Sequence, residues 1–335
     1  MFLLSYPTLA LDDMIADATK KATEIMDQLS TEKLVELVTA NLVSFSKSLL
    51  RSFVSALFII LISSFFEVIK TGYSKNNDLF ELISVCAAVI IVFSPITACF
   101  SKVQEHIEAI CGFMISLIPT CVMLHTASGN TLSAALMSQT TSTVITIHEM
   151  LSVSLILPLS KSLFTLCSVN TILKNQHITS ITNAIKSLCL WAIGLSFTLF
   201  TGILSLQSIL QSGADNLTMK GLKYGAAKLI PIAGGMISES MKTVITCVGY
   251  IKSVTGVAGI VFIIYALIPP LCFIILFKIY LSLLSASAKV CNTNHLASFL
   301  DTTNNIINIL LAALLNISVS LVIILSIFIK STVSI

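Results

Sequence analysis

Val254 to Leu284 reads VTGVAGIVFIIYALIPPLCFIILFKIYLSLL, and Lys278 is its only charged residue. About 20 apolar residues cross the hydrocarbon core of a bilayer, so this run can span one with length to spare. Five further stretches are long and apolar enough to do the same: Phe53 to Ile69, Leu82 to Phe100, Thr143 to Val169, Leu188 to Leu210 and Ile306 to Ile329. About six crossings are predicted. The composition agrees, because the 335 residues are 56% hydrophobic and only 10% charged, with a mean hydropathy of +0.97. A soluble domain carries about 25% charged residues, so soluble classes are excluded. Leu, Ile, Ala and Ser dominate while Pro and Gly number only 7 and 13, which favours helical spans over barrel strands. The predicted fold is therefore all-α, a polytopic helical membrane protein. The net charge of +3 carries no nucleic-acid signal.

Charge separates a polar N-terminal part, 1 to 48, from a membrane body, 49 to 335. Residues 1 to 50 hold seven of the 16 acids. Within them Leu11, Ile15, Ala18, Ala22, Ile25 and Leu29 recur at steps of three and four, one stripe of a helix. Ser30 is a predicted N-cap for a second short helix with Leu34, Leu37, Val38 and Leu42 on its apolar side. The two helices lie on the bilayer, pack on the body, or dock another protein. Residues 1 to 10, from Phe2-Leu3-Leu4 to Ala10, resemble the end of a signal peptide without a basic n-region. Either the start lies upstream or the signal has been lost, and sidedness stays open.

Two stretches break the run-length pattern. Ile110 to Leu124 is apolar for only 15 residues before Thr126-Ala127-Ser128-Gly129-Asn130, and Leu229 to Tyr250 contains Pro231, Gly234, Gly235, Glu239 and Lys242. Both are predicted to be re-entrant or broken segments, since irregular backbone at membrane depth must be buried in protein or line a cavity. They also look alike. Leu117-Ile118-Pro119 precedes Pro158 with the prolines 39 positions apart, and Leu229-Ile230-Pro231 precedes Pro269 with the prolines 38 apart. The spacing suggests an internal duplication of 82 to 175 in 188 to 290. Paired interrupted segments in two halves are the sign of a transporter-like core.

Chemistry-bearing residues are sparse. The nine Cys form no C-x-x-C and most sit in apolar runs, where Cys packs as a small hydrophobe. No paired zinc ligands, Walker loop or nucleophile elbow occurs. Neither metal nor cofactor is expected, and no enzyme. His148 and Glu149 are the one adjacent imidazole and acid inside a predicted span, and so are intramembrane candidates. Their alternative is an interfacial position. The other candidates are Gly234, Gly235, Ser238, Glu239 and Lys242: adjacent glycines permit close backbone approach, and Glu239 can pair with Lys242 on a helix. A bent interfacial hairpin is the plainer reading of that stretch.

Lys223-Tyr224 through Ile230-Pro231-Ile232-Ala233-Gly234-Gly235-Met236-Ile237-Ser238-Glu239, with Thr243-Val244, Cys247, Ile251-Lys252 and the VTGVAG of Val254 to Gly259, resembles the stage III sporulation protein AE family. Phe197 to Gln207 is similar to that family as well. Lys242 departs from it, standing where an acidic residue is expected. The resemblance implies a multi-pass protein of the mother-cell membrane around the forespore. It implies partners too: the bilayer, the other stage III A proteins, the forespore protein stage II Q and, as an open alternative, further copies of the chain. The expected function is thus a non-enzymatic subunit of an intercellular channel or export complex. An autonomous secondary transporter and a scaffold with no pathway of its own are the alternatives.

Overall fold

The computed structural model describes residues 31–69, 77–127, 131–173, 176–229 and 234–330, with side-chain surroundings left out for 204–254. Seven α-helices and one π segment account for nearly all of them: α1 Thr31–Ile69, α2 Asn77–Ala127, α3 Thr131–Met150, the π segment Leu151–Ile156, α4 Leu157–Leu173, α5 Gln176–Leu229, α6 Gly234–Val290 and α7 Asn294–Lys330. There is no strand among the described residues. Five stretches are long and apolar enough to cross a bilayer: Leu82–Thr126, Ala134–Leu173, His177–Ile203, Thr255–Val290 and Asn294–Ile327. The bent pair Val35–Lys47 and Leu49–Phe65 makes a sixth if counted as one span. The all-α polytopic expectation is met, and each run picked out in the sequence lies within one helix except Thr143 to Val169, which passes through α3, the π segment and α4.

The helices are longer than the sequence runs suggest. At 1.5 Å per residue α2 is about 75 Å long, more than twice the ~30 Å hydrocarbon core. One expectation is corrected here. Ile110 to Leu124 is no re-entrant loop, because α2 continues unbroken from the first apolar run through the polar stretch Ser101 to Glu108 into the second. Gln104 donates to Glu108 one turn on (2.9 Å) within that stretch. Pro119 is accommodated in mid-helix with its ring exposed; membrane helices tolerate proline because neighbouring groups satisfy the freed carbonyl. The second interrupted stretch also narrows. α5 ends at Leu229 and α6 starts at Gly234, so Gly234 to Tyr250 is continuous helix, and 230–233 lie outside the described residues.

A second correction concerns the polar N-terminal part. Residues 1–30 lie outside the described residues, but the short helix expected after Ser30 does not end near 48. It runs on into the first apolar run as α1, bending by 41° between Val35–Lys47 and Leu49–Phe65. No Gly or Pro interrupts Thr31 to Ile69, so nothing local stops the helix. Its apolar stripe faces the body, with Leu37, Val38, Leu42 and Phe45 half-buried and Val35, Glu36 and Val43 exposed. Phe45 meets Phe273 of α6 edge to face, centroids 5.1 Å apart. The ammonium of Lys102 lies 4.7 Å from the Phe45 ring and 5.2 Å from that of Phe273. Two aromatic faces thereby shelter a cation brought in by the polar stretch of α2.

The core is centred on α7, the most buried span. α6 and α7 form a tight hairpin whose turn holds Asn292 at φ 58°. Asn tolerates this left-handed conformation better than most residues, and it ends α6 in the way a helix C-cap requires. The Thr293 amide and hydroxyl both donate to the Ala288 carbonyl, at 2.9 and 3.0 Å. On the outside Lys289 pairs with Asp301 at 2.7 Å, and the Ser285 hydroxyl donates to the same carboxylate.

Candidate functional site

Some of the buried polar side chains form a connected layer through the apolar interior. On α7, Asn316 and Ser318 are two residues apart and therefore about 200° apart around the helix. They reach opposite neighbours. Ser318 Oγ lies 3.1 Å from Nε2 of His106 on α2, while Asn316 Nδ2 donates to the Ile193 carbonyl of α5 at 3.4 Å. His106 also bonds to the backbone of Ala266 on α6. One turn beyond Ile193, Ser196 Oγ lies 2.8 Å from Nδ1 of His148 on α3. The His148 ring tilts against Phe200, centroids 5.1 Å apart. The layer thus joins α2, α3, α5, α6 and α7, and its side chains are all buried.

The π segment sits next to this layer and has a local cause. Pro158 has no N–H for the Ser154 carbonyl, and its ring would press on that carbonyl in regular α geometry. The wider π turn just before it relieves the clash. In the π register the Leu157 amide donates to the Ser152 carbonyl. Ser152 is fully buried and its hydroxyl has no partner within the protein. Ser160, Ser168 and Ser318, also buried, instead donate to the carbonyl four residues back at 2.8 to 2.9 Å.

Of the residues singled out in the sequence, His148 is buried in the layer and Glu149 is half-buried beside it. Glu149 interacts electrostatically with Glu108 and Cys111 of α2. His148 is enclosed by neighbouring helices. Gly234, Gly235, Ser238, Glu239 and Lys242 fall on the first turns of α6, and their side chains lie outside the described residues. The layer members His106, Ser152, Ser196, Asn316 and Ser318 went unnoticed in the sequence, since single Ser and Asn residues in apolar runs are common. The one available signal was the N-x-S-x-S pattern of Asn316, Ser318 and Ser320 inside an otherwise apolar run.

The eight described cysteines are free, and no three His, Cys, Asp or Glu side chains cluster as metal ligands among the described residues. The far end of the sequence signature has a packing role. A Cβ on Gly259 would meet Leu325 Cδ1 of α7 at 2.8 Å and Leu117 Cδ1 of α2 at 3.6 Å. VTGVAG therefore ends where α6 packs against α7 and α2.

The sequence pattern described as stage III sporulation protein AE matches residues 9–332. The chain belongs to that family. A relative named stage III sporulation protein AE, from Bacillus subtilis (strain 168), is 23% identical over 176 residues, which are 52% of this chain and 44% of the relative. The match thus spans less than half the relative's length. No solved structure is similar. The family is named for a stage of sporulation and not for a reaction, and the signature residues that resembled it lie at the junction of α5 and α6 and along α6 to Gly259.

Proposed function

We propose that the chain is a non-enzymatic membrane subunit of the stage III A complex, which joins mother cell and forespore and serves as a channel or export route. The observation that carries this reading is the family match over 9–332 on a multi-span helical body. The protein sits in the mother-cell membrane around the forespore, with other stage III A proteins as partners. The region around Gly234, Gly235, Ser238, Glu239 and Lys242 lines the seam or cavity of that assembly. Small residues beside a membrane-embedded carboxylate suit a protein contact better than a lipid-facing surface.

A tagged chain expressed in sporulating cells tests the proposal. It should concentrate in the membrane engulfing the forespore and co-purify with the other stage III A proteins. Deletion should arrest development after engulfment. Uniform distribution over all membranes, no co-purifying partners and normal spores would point instead to an autonomous transporter. The buried His148 gives that second reading its one structural support, since ionisable groups at membrane depth mark transport pathways by default.

A further inference from the structure

We infer that His148 and Ser152 hold a single internal water molecule beside the π segment, a site for a small protic ligand inside the bundle. His148 is 3% exposed and Ser152 1%. His148 Nε2 and Ser152 Oγ both lack a hydrogen-bond partner within the protein. They are four residues apart across the entry into the π segment, about one turn and roughly 6 Å along the helix axis. That separation suits a bridging molecule of water size. Ser196 on α5 holds Nδ1 at 2.8 Å and the Phe200 ring braces the imidazole, which fixes where the opposite ring edge points. Ser152 is free to take part because its hydroxyl makes no bond to a backbone carbonyl, unlike those of Ser160, Ser168 and Ser318.

The ligand must be able to take either role at each of the two atoms. A serine hydroxyl can do either, and Nε2 is a donor or an acceptor according to which role Nδ1 takes toward Ser196. Water meets both cases. A carboxylate or a metal ion does not, because no charged side chain is bonded at either atom. Buried polar groups without protein partners are where conserved internal waters reside.

The test is the sign of a substitution in the full chain, purified in detergent and followed by thermal unfolding. A stranded hydroxyl in apolar surroundings is unfavourable, so Ser152→Ala would raise the melting temperature if nothing bridges it to His148. With a bridging water the same change lowers the melting temperature, and the loss disappears in a His148→Phe background. A rise, no change, or a loss that persists unchanged beside His148→Phe overturns the inference. If His148→Phe does not accumulate, a high-resolution density map decides. A peak within hydrogen-bonding distance of both atoms supports the site, and direct contact of Nε2 with Oγ refutes it. None of these outcomes depends on assembly with sporulation proteins.

Discussion

Ser196 Oγ and His148 Nδ1, 2.8 Å apart, join α5 to α3 inside the bundle. α5 is the least buried of the spans. This buried hydrogen bond therefore weighs more on its position than an equivalent bond on α7 would.

Ser196→Ala removes the one protein partner of His148 and leaves a buried imidazole, at a cost of about 1–3 kcal/mol. Ser318→Ala should cost less, because His106 keeps its bond to the Ala266 backbone. Thermal unfolding of the two single variants in detergent compares them. Equal losses, or a larger one for Ser318→Ala, would mean that the bond count does not govern stability here.

Gly259→Leu tests the end of the sequence signature as a packing device. A leucine would be driven into Leu325 and Leu117, and overpacking of this kind costs about 1–3 kcal/mol. Gly259→Ala should be far milder, because the first atom it meets is the end of a flexible side chain. Leu325→Ala combined with Gly259→Leu should recover much of the loss. Failure of that rescue in unfolding experiments would locate the strain elsewhere.

Lys102 offers a test of how α1 is held. Its ammonium lies over Phe45 and Phe273, and a cation above aromatic faces contributes about 0.5–2 kcal/mol as it becomes desolvated. Lys102→Met keeps the aliphatic stem and removes the charge. The expected result is faster labelling of a cysteine placed at Val38, which is half-buried against the body, with little change at the exposed Val43. Equal labelling with and without the charge would assign the docking to Phe45 and its apolar neighbours alone.

The spans were legible because run length and hydropathy are properties of local sequence, and the bilayer imposes one length on all of them. Helix continuity was not legible. The polar stretch Ser101 to Glu108 reads as a boundary, yet α2 passes through it, since charged side chains break a hydropathy run without breaking a helix. The same holds at Ser46 to Arg51, where α1 bends but does not end. The polar layer was nearly invisible for a different reason. Ser196 and His148 are 48 residues apart and His106 and Ser318 are 212 apart, so their pairing exists only once α2, α3, α5 and α7 are placed side by side. His148 alone could be singled out, because a histidine is rare in a membrane span whereas a serine is not.

Gly235 and Glu239 carry the last prediction, which concerns the assembly more than the fold. Both lie in the opening turns of α6, directly after the junction with α5. Gly235→Leu should block spore formation after engulfment while the protein still accumulates in the membrane, because the added side chain would separate surfaces that must meet. Glu239→Gln then discriminates between the readings. A transporter coupled to protons or cations needs the charge and should lose function with the amide, whereas a channel subunit or scaffold needs only hydrogen-bonding shape and should keep sporulating. Spore counts for the two variants, normalised to membrane levels of the protein, give the answer. Wild-type counts for Gly235→Leu would remove this junction from the mechanism and leave the VTGVAG contact at Gly259 as the signature's structural purpose.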